Sequence, residues 1–267
     1  ELSMSQSVVP GNFQNRTASV SGRPVIKMKP REITGSSLTV VPFKESLLHR
    51  SHPTSKLTVA VPLDNSSARL AKRIFDIIIS SLVILSLLSW MIPIIAILIK
   101  LTSKGPVFFL QKRSGRYNKL FTCIKFRSMV VNQQADLKAA AANDERITRI
   151  GKYLRRYHLD ELPQFFNALS GDMSVVGPRP HMINDDLRYE EQIRHYNFRR
   201  RIKPGITGLA QVLGYSGLAD DIQKMKNRVQ LDFFYIRHWS LKLDSLIMFR
   251  TFWKACGIQL LFKNQKV

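Results

Sequence analysis

Cysteine is scarce in this chain, and its two cysteines lie in distant parts of the sequence. Neither Cys123 nor Cys256 belongs to a C-x-x-C pair, which excludes a disulfide framework and gives no sign of a thiolate metal site. Residues 1–30 also lack the apolar run of a secretory signal, so we expect none there. A reducing environment that faces the cytosol fits these absences best.

Acidic residues are also few. The chain has 41 Lys and Arg against 19 Asp and Glu, a net charge of +22, which attracts phosphate-rich partners such as nucleic acid, anionic lipid headgroups and nucleotide substrates. No helix-turn-helix or pattern of stacking aromatics is recognisable, and a long uncharged run is present, so nucleic acid is disfavoured as the partner. Anionic lipids and diphosphate substrates explain the basic surface better.

Aromatic residues are nearly absent from the first quarter of the chain. Residues 1–70 contain only Phe13 and Phe43, with nine Lys and Arg against four Asp and Glu, and Ser, Thr and Pro are scattered throughout. Such a segment can bury little apolar surface. We predict a basic, largely disordered linker over residues 1–70.

Charge is missing altogether from the next segment. Residues 77–99 form a run of 23 uncharged residues, which meets the length of roughly 20 residues needed to cross the hydrocarbon core of a bilayer. Pro93 favours a kink. Basic residues flank both ends, so the positive-inside rule gives no direction. The residues alone leave two structures open for the membrane segment 71–104, a straight span and a kinked re-entrant helix.

Beyond the membrane segment, the pattern indicates a mixed domain over residues 105–267. The stretch "GPVFFLQKRSGRYNKLFTCIKFRSM" predicts two short strands joined by a polar turn. Helical patterns follow. The tail "LKLDSLIMFRTFWKACGIQLLFK" mixes apolar clusters with basic residues and could lie in the bilayer interface or pack on the core. We predict an α+β, mostly helical fold, in which a compact catalytic domain carries a small β-hairpin.

The segment "LDELPQFFNALSG" carries two adjacent carboxylates at a predicted helix start. Asp160 is placed as the N-cap, Pro163 in the first turn and Gly171 at the C-terminal end. The positive end of a helix favours an ionised carboxylate and also attracts phosphate. A simpler interpretation is that Asp160 is only a cap, with Glu161 a solvated charge of the first turn.

Basic residues near this carboxylate pair favour a chemical role for it. "KFRSM" is predicted to place Lys125 and Arg127 on one face of a strand, and "GPRP" holds Arg179 between two prolines. A carboxylate can attack phosphorus to form an acyl phosphate. The charge of a diphosphate substrate is commonly neutralised by Mg²⁺, which one or two carboxylates and the substrate phosphates hold.

Seven segments, in this order, resemble the signature motifs of the bacterial sugar transferase family, the monotopic phosphoglycosyl transferases that act as polyprenyl-phosphate sugar-1-phosphate transferases. They are "KRIFD", "GPVFFLQKRSG", "KFRSM", "DERITRIGKYLRR", "LDELPQFFNALSGDMSVVGPRP", "KPGITGLAQV" and "RVQLDFFYIRHWSLKLD". The resemblance covers roughly residues 71–255. Larger members carry a further membrane region before such a linker, so the chain is expected to match the catalytic part of one.

The resemblance implies a role for each matching residue. Asp160 matches the nucleophile that attacks the β-phosphate of a UDP-sugar, and Glu161 matches the second member of the dyad; both are implied to hold Mg²⁺. Asp232 resembles a further acidic position near the active site. Basic positions expected around the phosphates match Lys125, Arg127, Arg149 and Arg179.

The resemblance also implies the setting of the reaction. A phosphosugar passes from UDP-sugar to undecaprenyl (polyprenyl) phosphate, which initiates exopolysaccharide, capsule or O-antigen synthesis at the inner (cytoplasmic) membrane of a bacterium. The membrane helix is implied to be re-entrant, with the catalytic domain on the cytosolic face, interfacial amphipathic helices on anionic lipid, and a homodimer as one option.

Two departures from the family pattern bear on these expectations. Ile92 precedes Pro93 where Ser is common, and "VLGYSG" at 212–217 differs from the usual Asn-Gly-x-Arg-Gly. The second departure leaves the donor open between UDP-glucose or UDP-galactose and, as the alternative, a UDP-N-acetylhexosamine. The alternative from a different class is a basic, non-catalytic membrane scaffold.

Overall fold

The computed structural model describes residues 60–131, 144–216 and 221–255. Residues 1–59 of the predicted linker and Cys256 lie outside them. Helices predominate, as predicted, and are α1 (Ser66–Val83), α2 (Ser89–Thr102), α3 (Arg149–Arg156), α4 (Gln164–Ser170), α5 (Ile183–Gln192), α6 (Leu209–Val212), α7 (Ile222–Arg237) and α8 (Leu241–Ala255). The strands are β1 (Phe108–Ser114), β2 (Leu120–Phe126), β3 (Ser174–Val176) and β4 (Gly205–Thr207).

The apolar segment forms a helical rod, and the rod begins earlier than the sequence suggested. The side chain of Asn65 accepts a hydrogen bond of 3.0 Å from the Ser67 amide, a favourable N-cap that starts α1 at Ser66 instead of residue 71. Val61 and Leu63 are buried in the main core. The last residues of the predicted linker therefore belong to the folded domain. Within the described ranges, Ser66–Thr102 is the one helical stretch long and apolar enough to cross a membrane.

The irregular part of this rod is a π-helical turn at Ile84–Leu88, which joins α1 to α2. Here the amide of Ser89 bonds to the carbonyl of Ile84, five residues earlier. Pro93 lies inside α2, downstream of this turn, and the kink expected at Pro93 stays a prediction. A π-turn is one of the recognised causes of helix bending. The re-entrant path stays a prediction.

The predicted β-hairpin is confirmed. β1 and β2 pair antiparallel from Phe108 opposite Phe126 to Ser114 opposite Leu120. The turn between them holds Tyr117 at φ 53° and Asn118 at φ 63°. These left-handed conformations allow the tight reversal, and Asn tolerates them better than most residues.

A second pairing, which the sequence analysis did not predict, joins β3 and β4 in parallel with Ser174 opposite Gly205. β3 leads directly into the Gly-Pro-Arg-Pro turn at 177–180. The hydroxyl of Tyr235 in α7 donates to the carbonyl of Val176 over 3.0 Å. This short parallel pair therefore sets where Arg179 emerges from the core.

A buried polar network attaches α1 to the rest of the domain. The ammonium of Lys72 lies 2.7 Å from the Asp244 carboxylate and 3.3 Å from that of Asp76. Asp76 in turn accepts hydrogen bonds from the Ser174 hydroxyl at 2.9 Å and the Val175 amide at 3.0 Å. The start of the apolar rod is thus tied to α8 by a buried ion pair and to β3 by buried hydrogen bonds.

The C-terminal helix α8 packs on the core along one side, as one of the two alternatives predicted, whereas its place in a bilayer interface stays a prediction. Asp244 and Ile247 are buried against the core, whereas Phe249 and Phe252 are exposed. The helix therefore packs inward along one side and presents aromatic side chains on the other.

Candidate active site

The two adjacent carboxylates lie in a 3₁₀ turn, Leu159–Glu161, between α3 and α4. His158, at φ 56°, precedes the turn in a left-handed conformation. The prediction that Asp160 is a helix N-cap is wrong, because α4 begins four residues later with Pro163 at its cap position. The prediction for the other end is confirmed, since Gly171 ends α4 at φ 94°. Asp160 is therefore held by the turn and not by a capping bond.

Glu161 is bound by two cations. Arg179 donates Nη1 to Glu161 Oε2 at 2.8 Å and Nη2 to Oε1, and Lys125 donates Nζ to Oε1 at 2.9 Å. Burial by itself would raise the pKa of Glu161, but attraction to Arg179 and Lys125 outweighs it and holds that pKa well below its ordinary value. Glu161 is accordingly an anion whose charge is compensated by protein groups.

Asp160 has a different environment. It is 8% exposed, and its carboxylate makes no hydrogen bond or ion pair with any described residue. Burial, and next the repulsion of Glu161, raise its pKa above the ordinary value, while Lys125, Arg155 and Arg179 act in the opposite direction. A buried carboxylate without protein partners beside several cations is poised to interact with a group from outside the chain.

Two residues that the sequence analysis did not single out, Asn167 and Arg73, hold α4 in place next to this turn. Asn167 in α4 donates to the carbonyl of Thr122 at 2.7 Å and accepts from the amide of Ile124 at 2.9 Å, which fixes α4 against β2. The guanidinium of Arg73 donates to the carbonyls of Ala168 and Leu169 at the end of α4, at 2.7 and 2.6 Å. Neither residue has a local sequence signal, because their partners are far away in the chain.

Arg127, which was expected beside Lys125, has different partners. β2 ends at Phe126, and the Arg127 guanidinium donates to the carbonyl of Lys104 at 2.6 Å and to that of Ser103 at 2.8 Å. It is 4% exposed. The side chain therefore closes the C-terminal end of α2, where backbone carbonyls lack helical partners. The structure does not bring Arg127 together with the carboxylates.

Two basic residues of α3, Arg149 and Arg155, differ in their exposure to solvent. Arg149 begins the helix and is exposed; it makes no hydrogen bond or ion pair with the described part of the chain, and its role in phosphate binding stays a prediction. Arg155 is half-buried, and its only hydrogen bond to a described residue is a long one of 3.4 Å to the Ser128 hydroxyl. Because Arg155 influences the pKa of Asp160, it is a better candidate for the site than Arg149.

Asp232, predicted as a further acidic residue near the site, lies in α7 and is buried. Its carboxylate pairs with Arg199 at 2.8 Å, and the same guanidinium nitrogen of Arg199 donates to the carbonyl of Arg179 at 2.7 Å. Asp232 thus reaches the carboxylate pair only through Arg199 and the backbone of the Gly-Pro-Arg-Pro turn. The structure therefore connects Asp232 to Arg179 through Arg199.

The two carboxylates fit a Mg²⁺ ion only if most of its ligands come from outside the chain. A carboxylate offers about four acceptor positions; the donors from Lys125 and Arg179 occupy three on Glu161, which leaves about one, while Asp160 retains all of its own. The described residues contain no cluster of three or more His, Cys, Asp or Glu side chains that could hold a metal alone. Two carboxylates and a diphosphate are a usual Mg²⁺ ligand set.

Comparison with known proteins shows the family of this chain. A family model described as bacterial sugar transferase matches residues 67–257. The UDP-glucose:undecaprenyl-phosphate glucose-1-phosphate transferase of Klebsiella pneumoniae is 50% identical over 185 residues, which are 69% of this chain and 40% of that protein. The Escherichia coli (strain K12) protein of the same name is 42% identical over 229 residues, or 83% of this chain and 49% of its own length.

A third relative has a different name. The UDP-N-acetylgalactosamine-undecaprenyl-phosphate N-acetylgalactosaminephosphotransferase of Aeromonas hydrophila is 44% identical over 182 residues, 67% of this chain and 42% of that protein. The chain spans less than half the length of each of these three relatives.

Proposed function

The chain belongs to the bacterial sugar transferase family, and from that membership and the geometry of its two carboxylates we propose that it transfers a sugar-1-phosphate from a UDP-sugar to undecaprenyl phosphate. The product is a lipid-linked diphosphosugar, and UMP is released. Such a reaction is the first step in building a polysaccharide on a lipid carrier. The chain is accordingly proposed to be a phosphoglycosyl transferase.

The observation that carries the proposal is the contrast between the neighbouring carboxylates. Glu161 is neutralised by Lys125 and Arg179, whereas Asp160 has no protein partner among the described residues. In the first step, a carboxylate oxygen of Asp160 attacks the β-phosphorus, the bond from that phosphorus to the bridging oxygen breaks, and UMP leaves with the electron pair. In the second step, a phosphate oxygen of the lipid attacks the same phosphorus and Asp160 is regenerated.

The surrounding cations are proposed to bind the diphosphate and to offset the charge that develops on the leaving group. Lys125 and Arg179 lie against Glu161, and Arg155 is a half-buried cation whose charge acts to lower the pKa of Asp160. When bound by Asp160, Glu161 and the diphosphate, Mg²⁺ would supply further neutralisation of the phosphate oxygens. No proton has to be moved, because the charges of donor and acceptor equal those of the products.

The donor and the membrane setting are part of the proposal. We take UDP-glucose as the first candidate because two of the relatives bear that name, with UDP-galactose next and a UDP-N-acetylhexosamine as the alternative. The apolar rod is proposed to re-enter the inner membrane from the cytosolic side. The exposed face of α8, with Phe249 and Phe252, is proposed to lie on the lipid surface.

The test is to trap the covalent intermediate. The chain in nanodiscs is incubated with Mg²⁺ and UDP-glucose labelled in its sugar, without acceptor, and label on the protein is measured together with released UMP. Label is expected on the wild type and on Asp172→Asn, which changes an exposed acid in the next loop, but not on Asp160→Asn. Adding undecaprenyl phosphate should move the label to lipid. Without label or lipid product from any UDP-sugar, the chain is better described as a scaffold.

A further inference from the structure

The backbone of the Gly-Pro-Arg-Pro turn at 177–180 is held largely through its carbonyl groups. Two of its four residues are prolines, which have no N–H to donate. The carbonyl of Pro178 accepts from the Gly205 amide at 2.9 Å, which anchors the turn to β4. The carbonyl of Arg179 accepts from Nη2 of Arg199 at 2.7 Å. The position of Arg179 therefore depends on a side chain from another part of the chain.

Arg199 belongs to the 3₁₀ segment Tyr196–Arg201 and is 4% exposed. Its Nε and Nη2 donate to one carboxylate oxygen of Asp232, at 3.1 and 2.8 Å. Its Nη1 lies 2.7 Å from Nδ1 of His181 and 3.1 Å from the hydroxyl of Tyr196. A single buried guanidinium therefore contacts a carboxylate, an imidazole ring, a hydroxyl and the backbone of the turn.

His181 directly follows the turn and gives Arg199 a second contact with it. Because guanidinium nitrogens can only donate, Nδ1 of His181 accepts from Arg199, and this requires an uncharged ring. Burial, and next the charge of Arg199, hold the pKa of His181 well below its ordinary value. Arg199 therefore binds the residues on both sides of Pro180, one through its carbonyl and the other through its ring.

Arg199 does not contact the carboxylates of the site. Within the part of the chain that the structure describes, it forms no hydrogen bond or ion pair with Asp160 or Glu161. Its link to them is Arg179, whose Nη1 donates to Glu161 Oε2 at 2.8 Å. A long side chain gives up conformational freedom when it is held in one place. Fixing the backbone at Arg179 limits where its guanidinium can go before it binds.

We propose that Arg199 is a positioning residue for the transfer reaction, in which it holds the Gly-Pro-Arg-Pro turn so that the guanidinium of Arg179 stays on Glu161. The inference rests on the proposed function, in which Arg179 offsets the charge that develops on the leaving group. A small displacement of such a group from its productive position greatly lowers the rate. Asp232 then acts on the site indirectly, because it orients Arg199.

The first experiment compares Arg199→Lys with Arg201→Lys in nanodiscs. A lysine can still pair with Asp232 but cannot bind the turn and the His181 ring as well, because it lacks the planar fork of arginine. For UMP release by Arg199→Lys, kcat should fall about tenfold to a hundredfold while the KM for UDP-glucose changes less than about threefold. Arg201 pairs with Asp64, and Arg201→Lys should keep kcat within about twofold.

A double-mutant cycle separates positioning from a loss of stability. Added to Arg179→Met, Arg199→Lys should lower the single-turnover rate with labelled donor by less than about twofold, because the guanidinium that it positions is already absent. A purely structural defect would lower the rate by the same factor in both backgrounds. A second variant, Arg199→Met with Asp232→Leu, removes both charges of the buried pair, so Tm should stay near the wild-type value while kcat remains low.

Hydrogen exchange of residues 177–182, measured by mass spectrometry in nanodiscs, reports on the turn without any turnover. Exchange there should be faster in Arg199→Lys and unchanged in Arg201→Lys. A wild-type kcat in Arg199→Lys, an equal loss in the Arg179→Met background, or unchanged exchange at the turn would each overturn the proposal. If exchange rises as expected but the wild type releases no UMP from any UDP-sugar, the transfer reaction fails and the hold of Arg199 on the turn stands.

Discussion

Arg179 and Glu161 form a two-point ion pair, with Nη1 on Oε2 at 2.8 Å and Nη2 on Oε1. Lys125 completes the neutralisation of that carboxylate. The next residue toward the N-terminus, Asp160, has no such partner, and the charge on Glu161 contributes to raising its pKa. The pKa of Asp160 is thus raised and that of Glu161 is lowered, although the two acids are adjacent in sequence. Neighbouring carboxylates usually acquire different functions in this way.

Replacing Asp160 with Asn should abolish activity without harming the fold. The change removes the proposed nucleophile, so UMP release should fall by about 10³-fold or more. Burial favours the neutral form of this side chain, so at neutral pH the ionised carboxylate reduces stability and its removal should leave Tm equal or higher. UMP release and thermal unfolding of the same preparation check both statements. A variant that is inactive because it is unfolded would contradict the second.

Replacing Glu161 with Gln should have the opposite effect on stability. The pKa of Glu161 is lowered in the folded chain, so its ionised form contributes stability above the unfolded-state pKa, and this contribution is lost as the pH falls through the folded-state pKa. At neutral pH the change leaves Arg179 without its partner. We expect a loss of about 2 kcal/mol, below that of a fully buried pair because Arg179 is partly exposed, and hence a Tm lower by several degrees. An unchanged Tm would show that the pair contributes little.

The pH dependence of the first chemical step should show an acid limb above that of an ordinary aspartate. Burial and then Glu161 raise the pKa of Asp160 above 3.8, and only its ionised form attacks phosphorus, so the rate should fall as the pH drops through that raised value. Glu161 stays ionised to lower pH. Intermediate formation should therefore be lost before the fluorescence of the folded chain changes. Coincident loss of rate and fold would argue that unfolding, and not Asp160, sets the limb.

Lys125→Met and Arg127→Met should separate substrate binding from structure. Lys125 contacts Glu161 in the site, so its loss should raise the KM for the UDP-sugar about tenfold. Arg127 binds the carbonyls of Ser103 and Lys104 at the end of α2, so its loss should lower Tm by several degrees. A raised KM with normal Tm in Arg127→Met would restore the phosphate role expected from the sequence.

Lys72→Met should detach the start of the apolar rod from the core. The change leaves the carboxylate of Asp244 buried without its cation, a loss of about 3–5 kcal/mol for a buried pair. Thermal unfolding in detergent should show a large fall in Tm. The control is Lys100→Met at the other end of the rod, where the side chain is exposed, and which should change Tm little. Equal shifts in the two variants would contradict the anchoring role.

Local patterns predicted the features whose causes are local. The hairpin follows from β-branched and aromatic residues on either side of a polar turn, and the apolar rod from its uncharged run. The end of α4 follows from Gly171, which adopts the left-handed conformation that favours glycine. The same reasoning placed Asp160 at a helix start. The actual helix begins later, because the turn Leu159–Glu161 packs against β2 and α3, and that packing overrides the local cap signal.

The sequence by itself determined the family, the pair of acids and the basic environment, since these depend on residue types and their order. Only the tertiary structure decided which acid is neutralised and which is left without a partner. It also placed Arg127 on the backbone carbonyls that follow α2 and Asp232 in an ion pair with Arg199. These assignments depend on contacts between residues far apart in the chain. Burial and charge pairing there are set by packing, which no local pattern records.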